Sequence, residues 1–96
     1  MDKINHIAIT VTNIKHATNW YTKNFDCKVK EKYDNWVLLE FDNIDLALVS
    51  PAEHPPHIAF VDKDLKDEHV THRDGSKAKY EHDGFGNIIE KIKYKK

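Results

Sequence analysis

The chain has 96 residues, 40% of them apolar and 32% charged, a size and mix that suit one globular domain with a modest core. Fifteen basic side chains against sixteen acidic ones leave a net charge of −1, so no global charge draws the protein to nucleic acid or to an anionic membrane. The longest purely apolar run is Val37-Leu38-Leu39, far too short to cross a bilayer, and the lone Cys27 excludes an intramolecular disulfide and a cysteine-cluster zinc site. The opening residues carry no signal-peptide apolar region, which makes a cytoplasmic location the expectation. Histidine is the outlier, with seven residues; it is the commonest metal ligand.

In chain order, His6-Ile7-Ala8-Ile9 opens a run of branched residues that reads as a strand. Asn13 is placed to cap a helix in which Ile14, Ala17, Trp20 and Tyr21 share a face, and Asn24 to take the left-handed position after it. Strands are expected at about Cys27–Lys32, Trp36–Phe41 and Ile44–Val49, with Asp34-Asn35 and Asp42-Asn43 as two-residue turns between them. Pro51 through Pro56 is a linker. His57-Ile58-Ala59-Phe60 then repeats the opening. Asp64–Val70 is a shorter and weaker helix candidate. Strands follow at about Ala78–His82 and Asn87–Tyr94, joined through Asp83-Gly84-Phe85-Gly86. The order is β-α-β-β-β, then β-α-β-β with one strand missing. The chain therefore reads as one domain over residues 1–96: a first module at about 1–50, a linker at 51–56, and an abbreviated second module at 57–96.

Strand residues alternate faces. Ile7, Ile9 and Val11 share one face, leaving His6, Ala8 and Thr10 on the other. His57 and Ala59 lie opposite Ile58 and Phe60, and Asp45 and Ala47 opposite Ile44, Leu46 and Leu48. Glu90 falls on the face of Ile88 and Ile92, where an unpartnered carboxylate is costly. Duplication supplies a partner. Two half-sheets related by a pseudo-two-fold axis bring His6 and His57 together near that axis, and Glu90 completes two imidazoles and one carboxylate. Such a set leaves positions open for substrate on a divalent metal. Asp45, on the matching face of the first half, is a candidate fourth ligand. Taken singly, each residue reads as structural: a hydrogen-bonded strand histidine, a solvated edge charge, a turn aspartate. Their concurrence in both halves carries the metal reading. His69 and His72, three apart in a charged stretch, are assigned to the surface with His16, His54 and His82. The stripe Trp20, Tyr21, Phe25 is assigned to core packing.

Asn5-His6-Ile7-Ala8-Ile9-Thr10-Val11 with Tyr21 and Phe25 resembles the opening of vicinal oxygen chelate proteins, and Pro56-His57-Ile58-Ala59-Phe60 the start of their second module. Asp83-Gly84-Phe85-Gly86-Asn87-Ile88-Ile89-Glu90 is similar to their closing Asp-Pro-Asp-Gly-Asn-x-x-Glu, the most specific part of the likeness. That superfamily includes glyoxalase I, extradiol dioxygenases, methylmalonyl-CoA epimerase, fosfomycin-resistance enzymes and bleomycin-binding proteins. The resemblance implies an α+β fold of paired βαβββ modules around a cupped sheet, with metal ligands at His6, His57 and Glu90. The fourth-strand ligand of glyoxalase I would fall at about Ala47, or at Asp45 if the strand slips by two. The chain is shorter than usual between Val61 and Ala78.

These observations lead to the expectation of a small glyoxalase-like enzyme of isomerase or lyase type. It would use a divalent metal ion to chelate a small oxygenated substrate. His6, His57 and Glu90 hold the ion, and Asp45, or Glu90 itself, moves the proton. The alternative is a metal-free protein of the bleomycin-resistance type that sequesters a small aromatic or cationic molecule with Trp36, Tyr80 and Asp45. A homodimer is expected because the abbreviated half leaves a sheet edge and apolar surface to cover.

Overall fold

The computed structural model of the chain describes residues 1–67, 69–72 and 75–94. It divides into two units, His6–Pro56 and Met1–Asn5 with His57–Lys96. Strand β1, Ile4–Thr10, begins in the second of these and continues into the first.

In the unit His6–Pro56, β1 is followed by helix α1, Ile14–Asn24, and by strands β2, Lys28–Lys32, β3, Trp36–Glu40, and β4, Asp45–Val49. Their order is β2-β3-β4-β1, parallel between β4 and β1 and antiparallel elsewhere. The two expected turns form: Tyr33 N–H donates to Trp36 O at 2.8 Å, and Phe41 N–H to Ile44 O at 3.2 Å. α1 forms because Asn13 caps it, its Oδ1 accepting from His16 N–H at 2.9 Å. Its apolar residues Ile14, Ala17 and Tyr21 pack with Ile9 and Val11 onto Val37, Leu39 and Leu48, which are wholly buried. The opposite sheet face carries a smaller cluster, Ala8, Ala47 and Val49 with Trp36 and Leu38 against them.

Three sequence expectations for α1 need correction. Asn24 is not left-handed; among the described residues only glycines have positive φ. The helix instead ends on extended Phe25, whose N–H reaches Tyr21 O, while Asn24 Nδ2 donates to Trp20 O at 2.8 Å. Trp20 leaves the buried face, because it lies about 120° around the helix from Ile14, and it is 54% exposed. Phe25 is 50% exposed. Of the aromatic stripe only Tyr21 packs inward; Phe25 stacks on it and Trp20 meets both rings edge-on, with centroids 5.0–6.0 Å apart.

The other unit repeats the strand topology. It contains β5, His57–Val61, β6, Val70–Thr71, β7, Lys77–His82, and β8, Ile88–Lys93. The order β5-β8-β7-β6 is parallel between β5 and β8 and antiparallel elsewhere, matching β1-β4-β3-β2. The paired modules are present and the second is shortened, but what it lacks is the helix rather than a strand. No helix forms at 64–70 among the described residues; Glu68 of that candidate lies outside them. A single turn replaces it, with Leu65 N–H donating to Asp62 O at 3.3 Å and the Leu65 side chain buried. Leu65 and Val70 are the only apolar residues there, too few to offset the cost of nucleating a helix. One face of this sheet carries Ile58, Phe60 and Ile89 beside a cross-strand charge group, in which Lys91 Nζ lies 2.8 Å and Lys79 Nζ 3.4 Å from Glu81. No helix of the described residues is long and apolar enough to cross a membrane.

Candidate metal centre

The opposite face of that same unit is where the chemistry gathers. Cross-strand pairing sets Ala59, Glu90 and Tyr80 side by side on β5, β8 and β7, with His57, Ile88 and His82 in the next row. Glu90 is 1% exposed, as buried as the leucines of the core. A carboxylate can be held there only by donors to both oxygens. Oε1 lies 3.0 Å from His57 Nε2, and Oε2 lies 2.7 Å from His72 Nε2. Tyr80 adds a hydrogen bond to the same carboxylate. Burial first, then the charge of Glu90 and that hydrogen bond, push the Tyr80 hydroxyl well above its ordinary range, so it stays a neutral donor. His57, itself buried, sets its ring edge-on to Tyr80 with centroids 5.4 Å apart.

The charged stretch around His72 predicts a surface residue, and the structure overturns that. The three-residue interval to His69 suggested a helix, but the backbone there is a hairpin. His69 N–H donates to Ala78 O, Val70 pairs with Ala78 and Thr71 with Lys77, and His72 N–H donates to Ser76 O at 2.8 Å. With a period of two, Val70 and His72 share the face of Ala78 and Tyr80, which is the face of Glu90. Alternation in Val70-Thr71-His72, read as a strand, was the available signal.

The turn before β8 fixes where Glu90 begins its run. Asp83 Oδ1 accepts from Phe85 N–H at 2.7 Å and Asn87 N–H at 3.2 Å, and Asn87 Nδ2 donates to Oδ2 at 2.9 Å. Those bonds, the Asn87 side chain foremost, hold the Asp83 carboxyl below the ordinary aspartate value. Gly84 and Gly86, at φ of +86° and +95°, take backbone conformations that side chains resist.

His6 and Asp45 lie in the other unit. They face each other in the parallel register of β1 and β4, one step from Ala8 and Ala47. Asp45 is engaged: Lys30 Nζ lies 3.0 Å from its Oδ2. Lys30 is the extra residue of a bulge in β2, between the pairs Val29–Leu39 and Glu31–Leu38. Its ammonium is held above its usual range chiefly by that hydrogen bond to Asp45. Trp36 packs on Ala8, Ala47 and Val49, with Tyr33 tilted against it at 4.8 Å. The structure thus joins His57 to Glu90 and adds His72 and Tyr80, while it pairs Asp45 with a lysine. Two imidazoles and a carboxylate are a donor set that fits a divalent transition ion, and the imidazole of His57 already faces the buried carboxylate at hydrogen-bond distance.

Comparison with known proteins agrees with this architecture. No match was found among curated proteins. Among solved structures, a hypothetical protein from Bacillus halodurans superposes with a TM-score of 0.80 at 21% identity, covering 99% of this chain and 96% of that one. Streptomyces coelicolor methylmalonyl-CoA epimerase, in complex with 2-nitronate-propionyl-CoA, gives 0.79 at 20% identity, covering 98% of each. A glyoxalase/bleomycin resistance protein/dioxygenase superfamily member from Vibrio splendidus gives 0.74 at 11% identity, covering 98% of this chain and all of that one. At these identities the likeness is one of fold. The sequence model of the Glyoxalase/Bleomycin resistance protein/Dioxygenase superfamily matches residues 3–89, nearly the whole chain, and the protein belongs to that superfamily.

Proposed function

We propose that the protein is a small metal-dependent enzyme of isomerase or lyase type acting on a small oxygenated acid, with His6, His57 and Glu90 holding one divalent ion. The observation that carries this is the buried Glu90 carboxylate set 3.0 Å from His57 Nε2, the residue whose counterpart in the sequence repeat is His6. A bound ion would supply positive charge to two oxygens of the substrate. Glu90 brings the negative charge that retains a cation in a buried place, and Tyr80 donates a hydrogen bond to its carboxylate. Asp45, beside His6 in the register, is assigned proton transfer at its carboxylate, with Lys30 holding that carboxylate in place. The fold shared with methylmalonyl-CoA epimerase, an isomerase, supports this reaction class at the level of fold. The sequestering alternative is less favoured, because the Asp45 carboxylate that would attract a cationic ligand already carries Lys30.

The test is metal analysis of natively purified protein, followed by a thermal-shift series with divalent ions. Wild type is expected to rise in Tm with at least one ion, and a His57→Ala, Glu90→Gln double variant to lose the rise. Equal shifts in both proteins would place metal binding elsewhere and reject the assignment. The reaction class is checked by following loss of a carbon-bound proton to deuterated solvent across a panel of small oxygenated acids.

A further inference from the structure

The Glu90 carboxylate has two oxygens and, in the reading above, one ligand role. The oxygen turned away from His57 is taken by His72, at 2.7 Å. From this geometry we infer that His72 is a positioning residue: its Nε2–H clamps Oε2 and leaves Oε1 as the single oxygen offered to the ion. The inference rests on the metal reading of His57 and Glu90, and it adds a residue that neither the sequence repeat nor the closing motif contains.

Three observations support it. The bond is short for a nitrogen donor and joins an imidazole to a carboxylate, the class of hydrogen bond strong enough to fix an orientation. His72 reaches Glu90 from a segment that forms no helix among the described residues. The chain turns at Leu65, enters the two-residue strand β6 and delivers His72 opposite Ser76 at the head of a hairpin. Finally, Glu90 is held by several elements, His57 from β5, Tyr80 from β7 and His72 from the hairpin, so neither carboxylate oxygen turns without breaking a bond. Groups that orient a ligand in this way commonly change metal affinity about 10–100-fold when removed.

The experiment is a Co2+ titration of the full chain, read by calorimetry for Kd and by visible absorption for coordination geometry, on wild type, His72→Ala, His72→Phe and His72→Gln. Unfolding of each metal-free variant is measured alongside. His72→Ala is expected to weaken Co2+ binding about 10–100-fold with a changed absorption band. His72→Phe, which fills the space and donates nothing, is expected to do the same. His72→Gln, which restores an N–H donor, is expected to recover most of the affinity and the wild-type band. Wild-type affinity in folded His72→Ala or His72→Phe overturns the inference and leaves the His57–Glu90 assignment standing. A loss that His72→Gln fails to recover also overturns it, since the imidazole itself would then be required. A wild type that binds no Co2+ and no other divalent ion removes the metal reading and this inference together.

Discussion

Asp45 stands directly opposite His6 in the register of β1 and β4, yet its carboxylate closes on Lys30 rather than waiting open. A carboxylate already on an ammonium is poorly placed to serve as a fourth ligand. Asp45→Asn is therefore expected to keep wild-type metal affinity while lowering kcat, measured by calorimetry and by turnover of whichever acid the exchange panel identifies. Lys30 is about half exposed, so Lys30→Met should change stability by less than ~1 kcal/mol, read from urea midpoints.

Metal should stabilise the native state by mass action. At a hundredfold excess over Kd the gain is about 2.7 kcal/mol, visible as a rise in Tm. His6→Ala is expected to shrink that rise at fixed ion concentration, and the His57→Ala, Glu90→Gln variant to abolish it. Removing Glu90 alone also frees two imidazoles from their shared acceptor, so metal-free stability must be measured for each variant before the shifts are compared.

The turn into β8 gives a pH prediction. Asp83 has a folded-state pKa below its unfolded value near 3.8. A depressed carboxyl contributes stability that is present above the unfolded value and lost as pH falls through the folded one. Urea midpoints of wild type and Asp83→Asn should therefore differ most at pH values above the unfolded pKa and converge as pH falls below the folded one. A constant gap across that range would mean that the turn gains nothing from the charge.

In the same turn, a Cβ on Gly86 would meet nothing within 4 Å, so crowding cannot be the cost of substitution. The positive φ is. Gly86→Ala is expected to lose about 1–2 kcal/mol, and Gly86→Asn less, since asparagine tolerates this region better. Equal losses for the two would point to some cause other than backbone conformation.

Homodimerisation is expected from surfaces of each unit: Trp20 and Phe25 half exposed on one, and Ile58, 39% exposed, on the helix-free sheet face of the other. Sedimentation equilibrium at micromolar concentration should give twice the 11.2 kDa chain mass; a lone 11.2 kDa species would end the idea. Co-refolding His6→Ala with the His57→Ala, Glu90→Gln variant then reports the source of the ligands. Recovery of metal binding means that they come from two chains, and no recovery means one.

Much of this was legible before the structure. The period of two in β1, β4, β5 and β8 placed the inward faces, and the repeated His-Ile-Ala with the late acid picked out His57 and Glu90. Asn13 announced the helix start. What escaped were effects that local pattern does not encode. Trp20 matches helical spacing loosely, and only packing against Leu39 and Leu48 decides which aromatic turns in. The segment around Leu65 had enough polar residues to look helical and too few apolar ones to be held as a helix. Charged neighbours predict a surface position for His72, and only the pairing of β6 with β7 brings it to 2.7 Å from Glu90.

The first five residues are grouped with the last forty rather than with their neighbours. Val61 N–H donates to Lys3 O at 2.9 Å, and Tyr94 OH donates to Asn5 Oδ1 across 89 positions. During synthesis the segment His6–Pro56 can close its own sheet as soon as it emerges, through contacts near in sequence. Met1–Asn5 precedes that segment and pairs with residues that follow it, so its partners are made later and a long loop must be closed to reach them. Disrupting the contacts of Lys3 and Asn5 would therefore hinder the late-made half of the protein while sparing the early one.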